Sequence, residues 1–182
     1  MARQALTLDH LCNGRLTMGF GLGVDTHREL SGLGELVDPK LRGQRLDEAG
    51  RILAALWSGE TVDHDEEHFE LHNISIAPRT VQRPRIPMWF AARGDARPPV
   101  RRAARYEGLV PIQVSAQQLD DMLDLVVTER GTLDGFDVAV RPVSADEYED
   151  FAALGATWSM TETSVNDPAT LAIASRHPRD RH

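Results

Sequence analysis

The chain has 182 residues, enough for one domain with a substantial core and too few for two of ordinary size. Its net charge of −8 argues against nucleic acid as a partner, because phosphate binding needs a basic face. A single cysteine, Cys12, excludes a disulfide framework within the chain. No apolar run approaches the roughly 18–20 residues that span a bilayer, and the first residues lack the continuous apolar core of a secretion signal. The expectation is a cytoplasmic protein with a single domain over residues 1–182.

The pattern along the chain alternates strand and helix. Ala5, Leu8 and Leu11, with Leu6 alongside, have helical spacing, and Asn13-Gly14 ends that helix. No capping residue precedes it, so the start reads as cut. Leu16-Thr-Met-Gly-Phe-Gly-Leu-Gly23 reads as a strand running into a glycine-lined loop. Pro39 introduces a helix over about 40–58, with a stripe of Leu41, Leu46, Ala49, Ile52, Leu53 and Leu56 and a stop at Gly59.

Residues 60–78 are polar and acidic, and the alternation of Phe69, Leu71, Ile74 and Ile76 predicts a short β excursion. The continuously apolar run at 86–91, bracketed by Pro84 and Pro87, predicts a strand buried on both faces, as in parallel sheets. A helix at 97–106, a strand at 108–113 and a helix at 116–130 capped by Ser115 follow. A strand at 136–141, a helix at 144–154 and a strand at 156–160 complete the series. Asp167-Pro168 opens a last short helix. This order, without repeats, predicts a parallel α/β architecture.

Several stretches, taken together, resemble the luciferase-like monooxygenase family of flavin- and deazaflavin-dependent TIM-barrel oxidoreductases. Arg3-Gln-Ala-Leu-Thr-Leu-Asp-His-Leu-Cys-Asn-Gly-Arg-Leu16 is similar to one family helix, and Met18-Gly-Phe-Gly-Leu-Gly23 to the glycine-rich strand after it. Arg42-Gly43, Leu46-Asp47-Glu48 and the ending Leu56-Trp-Ser-Gly59 resemble the next helix. Pro78, Gln82-Arg83-Pro84 and Ile86-Pro-Met-Trp89 match the approach to the fifth barrel strand. Ala103-Ala104-Arg105 with Gly108 fits the helix and turn after it, and Gly155-Ala-Thr-Trp158 resembles the eighth strand. The order and spacing of these motifs over residues 3–160 carry the resemblance. It implies an incomplete (β/α)8 barrel of about five parallel strands, lacking the first three. It also implies an oxidoreductase using FMN or the deazaflavin coenzyme F420, or a non-catalytic remnant of one.

In such barrels the site lies at the C-terminal ends of the strands. Gly21 and Gly23 stand at one such end, where missing side chains either admit a flat ring or simply permit a tight turn. The resemblance favours the ring. Ala92, Arg93 and Gly94 occupy the turn that holds the cofactor phosphate in relatives. Glycines are expected where Ala91-Ala92 stands, however, and Pro98-Pro99 removes two donors, so a solvated loop is equally open. Trp158 is the pocket candidate among the tryptophans, with Trp57 and Trp89 assigned to the core.

Val24 replaces the catalytic Glu of some relatives, Asp25 is its nearest substitute, and Glu29 and Gly34 resemble the loop that shapes the substrate side. The catalytic residues are unknown. His64, His68 and His72 recur at every fourth position among acidic residues. That spacing would share one face, but it is not HExxH, and a solvated acidic face is the favoured reading over a metal site. Cys12 beside His10 reads as packing. A five-stranded remainder exposes two sheet edges, which a homodimer would cover.

Overall fold

The computed structural model describes residues 1–160; the helix predicted from Asp167 lies outside them. The elements run α1 (Ala2–Leu11), β1 (Met18–Phe20), α2 (Pro39–Ser58), β2 (Val62–Asp65), β3 (Glu70–Ile74), β4 (Met88–Arg93) and α3 (Arg97–Ala103). They continue with β5 (Gly108–Ile112), α4 (Ala116–Arg130), β6 (Asp137–Val140), α5 (Ala145–Ala153) and β7 (Trp158–Ser159). Five strands form one parallel sheet in the order β1-β4-β5-β6-β7, while β2 and β3 make a separate antiparallel hairpin, the predicted excursion. The sheet does not close on itself among the described residues. No described helix is long and apolar enough to cross a membrane.

Local chemistry explains the helix boundaries. Asp38 accepts a hydrogen bond from the Leu41 N–H at 2.9 Å at the start of α2, Pro39 takes the first helical position, and Gly59 at φ 86° closes the helix. Ser115 and Gln118 form a reciprocal capping box on α4, and Ser144 caps α5.

The strand register separates two faces. Met18 and Phe20 align with Met88 and Phe90, and Phe90 and Ala92 with Leu109 and Pro111. These side chains point toward the helices and meet Leu53, Trp57, Val100 and Val126 in the main core. Burying one such large side chain is worth about 1.5–3 kcal/mol. The opposite face, here called inner, carries Gly19, Gly21, Trp89, Ala91, Val110, Ile112, Asp137 and Trp158. The continuously apolar run in β4 is therefore not buried on both sides. Met88, Phe90 and Ala92 are buried, whereas Trp89 and Ala91 are only partly covered, since no described layer packs over them.

Two helices differ from their predicted stripes. In α1 the buried residues are Ala5, Leu6 and Asp9, while Leu8 is 51% and Leu11 78% exposed. A buried carboxylate defines that face, and counting apolar residues misses it. In α2 two faces are buried, not one. Leu53 and Trp57 meet the sheet, and Ile52 and Leu56 form a second small core with Val62, Phe69 and Leu71 of the hairpin.

Candidate functional site

The C-terminal ends of β1 and β4 lie side by side, because Phe20 pairs with Phe90. The chain leaving β1 carries Gly21 and Gly23, next to Ala91, Ala92, Arg93 and Gly94 at the end of β4. A Cβ built on Gly19 would meet nothing within 4 Å on the inner face, and one on Gly21 would touch only the Ala91 Cβ, at 3.4 Å. The result is a flat strip almost free of side chains. Gly23 adopts φ +67°, a left-handed turn that favours glycine.

The three residues of the β4 turn are placed differently. Ala92 is buried toward the helices, so only its backbone faces the turn. Arg93 is exposed and donates from Nη2 to the Oε1 of Gln113, the residue after β5, which itself takes φ 53°. Gly94, at φ +55°, has open space where a side chain would stand. Asp95 accepts from Gln118 Nε2 at 2.9 Å, tying the turn to α4. Gln113 was not singled out from the sequence; its left-handed backbone is the feature that marks it, and sequence gives no sign of that. A cleft of about 270 Å³ between the ends of β5 and β6 is lined by Ile112, Gln113, Val140 and Arg141.

Trp158 does not join this group. Its indole lies 5.8 Å from that of Trp89, centroid to centroid, and its Nε1 donates to Asp137 at 3.0 Å, where β6 begins. Trp89 covers Gly108, where β5 begins: a Cβ on Gly108 would come within 2.4 Å of the Trp89 ring. The two indoles thus occupy the half of the inner face nearest the strands' N-terminal ends. Trp89, assigned to the core from sequence, belongs to this half-open surface, and Trp57 alone of the three is fully buried.

Asp25 is not poised as an acid. Its Oδ1 accepts from the N–H groups of Leu30 at 2.8 Å and Ser31 at 3.0 Å. Hydrogen bonding from Ser31 and then Leu30 holds its pKa below the ordinary carboxylate value, so it stays ionised and closes the loop. Glu29 accepts from the His27 N–H within the same loop, at 3.2 Å, and Gly34 ends a short 3-10 turn, Ser31–Leu33.

The three histidines do not share a face, because the hairpin turn falls between them. His64 lies on β2 and pairs with Glu48 at 2.8 Å, whereas His72 lies on β3 and pairs with Glu70 at 2.7 Å in solvent. His68 sits in the turn, and its Nε2 is buried without a partner. Glu48 is the organiser: buried on α2, it accepts from His64 Nε2 and from the N–H groups of His68 and Phe69, fixing the hairpin to the helix. Glu48, His64 and Glu66 bring three possible ligand atoms within 4.8 Å of one another.

Desolvation raises the Glu48 pKa, but the bonds from His64, Phe69 and His68 outweigh it, and the net pKa is below 4.5. A depressed folded-state pKa gives stability that is present above the unfolded value and lost as pH falls through the folded one. Thermal melts from pH 6 to pH 3 should therefore steepen below about 4.5, less so in Glu48→Gln. Equal slopes in the two proteins would remove Glu48 from the account.

Comparison with known proteins fits this geometry. The family model for the luciferase-like monooxygenases matches residues 1–154, and the chain belongs to that family. Among solved structures, a monooxygenase, RslO1, from Streptomyces bottropensis superposes with a TM-score of 0.64 at 23% identity, covering 85% of this chain and 49% of that one. An F420-dependent secondary alcohol dehydrogenase in complex with an F420-acetone adduct gives 0.65 at 19%, covering 97% and 57%. The coenzyme F420 dependent tetrahydromethanopterin reductase of Methanopyrus kandleri gives 0.61 at 18%, covering 80% and 47%. An uncharacterized protein, y4wF, of Sinorhizobium fredii (strain NBRC 101917 / NGR234) is 38% identical over 84 residues, 46% of this chain and 24% of that protein. The chain spans about half the length of these solved structures and a quarter of this relative. The fold is accordingly the α/β architecture of the luciferase-like barrel, with the barrel incomplete.

Proposed function

We propose that this chain carries the cofactor-facing side of a flavin- or deazaflavin-dependent oxidoreductase acting on a small organic molecule. The observation that supports it is the bare strip of Gly19, Gly21 and Ala91 at the C-terminal ends of β1 and β4. A planar ring needs such a surface, and side chains at those positions would hold it off the backbone. The ring, when bound, supplies hydride transfer or, in its reduced form, reaction with oxygen. The protein's part is to seat it: Gly21 and Gly23 leave room, while Arg93 and the Gly94 turn offer a positive charge and an open backbone to a phosphate. The first turn of α3 contributes little there, since Pro98 and Pro99 carry no N–H.

Titrating the purified protein with FMN and, separately, with coenzyme F420 tests this reading and separates the two cofactors. Retention of one visible band through gel filtration is expected, with binding at least about tenfold weaker in Gly21→Leu, a change of roughly 1.4 kcal/mol. A protein that stays colourless with both would instead be a non-catalytic member. The elution volume reads a further part of the proposal: the edge of β1, free among the described residues, and the two-residue β7, whose Trp158 is 56% exposed, favour a homodimer whose partner covers these edges.

A further inference from the structure

Glu48 is a buried carboxylate without a fixed positive charge beside it. Its side chain is 4% exposed, and its partner is the His64 imidazole at 2.8 Å. Among the described residues no lysine or arginine pairs with it. Buried charges are ordinarily paired or hold a metal ion. A second carboxylate approaches from the surface. Glu66, half exposed in the hairpin turn, brings its oxygen, the Glu48 oxygen and a His64 ring nitrogen within 4.8 Å of one another. Converging carboxylates repel each other, and the cation that answers Glu66 is the half-exposed Arg51.

The three donors come from segments whose positions are fixed. Glu48 lies in the middle of α2, and His64 faces it from β2 with 11% side-chain exposure. Glu66 opens the turn, where its N–H bonds to the Phe69 carbonyl at 3.2 Å. The N–H groups of His68 and Phe69 rest on the Glu48 carboxylate, which keeps lone pairs to spare. Around a tetrahedral Zn2+ bonded at about 2.0–2.1 Å, neighbouring donors stand about 3.3 Å apart. The His64–Glu48 contact of 2.8 Å has only to open slightly, and the Glu66 side chain is free to swing in from the surface. A second sign comes from the same turn: His68 Nε2 is buried without a hydrogen-bond partner, a spare donor beside the close group of three. Of the histidines spaced at every fourth position, only His64 belongs to that group.

The geometry points to Glu48, His64 and Glu66 as a site for a divalent transition-metal ion of the zinc class, clamping the hairpin to α2, with water completing the shell. The imidazole selects against Mg2+ and Ca2+, which prefer oxygen shells. None of the residues at the strand ends takes part, so the site stands or falls apart from the flavin or deazaflavin reading.

The probe is Zn2+, titrated into the chelator-stripped full chain without any flavin or deazaflavin, in competition with a chromophoric zinc indicator. Mg2+ forms a parallel arm. Saturable uptake of one tight equivalent of Zn2+ is expected, with no competition from Mg2+. Glu66→Gln and His64→Gln should each weaken that uptake at least about tenfold. Arg51→Met, which releases Glu66, should tighten it about two- to fivefold. His72→Gln, on the same hairpin, should leave it within about twofold. Should His64→Gln fail to fold, Glu66→Gln and Arg51→Met replace half-exposed side chains and move the affinity in opposite directions. Unchanged affinity in Glu66→Gln, or in a folded His64→Gln, would overturn the site. So would weaker uptake in Arg51→Met or His72→Gln, equal competition by Mg2+, or no saturable uptake at all.

Discussion

Replacing Asp9 with Ala is expected to lower the stability of the fold by about 3 kcal/mol, although the residue lies far from any chemistry. The Asp9 carboxylate is fully buried on α1. It accepts from the Val81 N–H at 2.7 Å, from the Gln82 N–H at 3.4 Å and from Gln82 Nε2 at 2.9 Å. Gln82 in turn donates to the Leu16 carbonyl at 2.7 Å, just ahead of β1. One carboxylate thus joins the helix, the segment leading into β4 and the start of β1. Truncation leaves the three donors without this acceptor. Asp9→Asn should recover only part of the loss, because its amide presents N–H groups to donors. Urea unfolding at neutral pH measures both variants, and an Asp9→Ala cost below about 1 kcal/mol would show that water replaces the carboxylate.

The second large effect concerns the pair that clamps α3 onto α2. Arg102 Nε and Nη2 donate to the two carboxylate oxygens of Asp47 at 2.8 and 3.0 Å, and Nη2 also donates to the Gly43 carbonyl at 3.1 Å. The partners are unequally buried, at 6% side-chain exposure for Arg102 and 32% for Asp47. Removing one partner costs what the other suffers when left alone. Asp47→Ala strands a buried guanidinium and should cost about 3 kcal/mol, whereas Arg102→Met leaves a carboxylate that water can reach and should cost about 2 kcal/mol. The order of the two variants in urea unfolding is the test, and the reverse order would contradict the burial argument. Arg102→Lys should resemble Arg102→Met more than the parent, since a point charge cannot make both bonds to Asp47.

These two clusters also show what was legible in the sequence. Periodicity and capping chemistry located α4 and α2 to within a residue, since Ser115, Asp38 and Gly59 act through their own backbone neighbours. The parallel order of the sheet followed from alternating segments, and the barrel family from motif spacing. Asp9 and Glu48 were not legible as organisers. Each acts on N–H groups far along the chain, at Val81 and Gln82 or at His68 and Phe69, and no local pattern announces such a partner.

The same limit applied around the site. The glycines and the β4 turn were readable as strand ends, but the direction of the Trp158 indole was not, since β7 is two residues long and the ring reaches back to Asp137.

The strand order β1-β4-β5-β6-β7 has one more consequence. Each sheet strand is laid against the one synthesised before it, with the hairpin set aside on α2. Registry is therefore decided pairwise, between a sheet strand and its predecessor, although β1 meets β4 only after α2 and the hairpin. A structure grown in this way is a ladder assembled rung by rung. A break between two βα units leaves the remaining rungs aligned, and a rung offered from outside meets an edge already shaped to receive it. Such an architecture tolerates division into separately encoded pieces better than a sheet whose neighbours come from opposite ends of the chain.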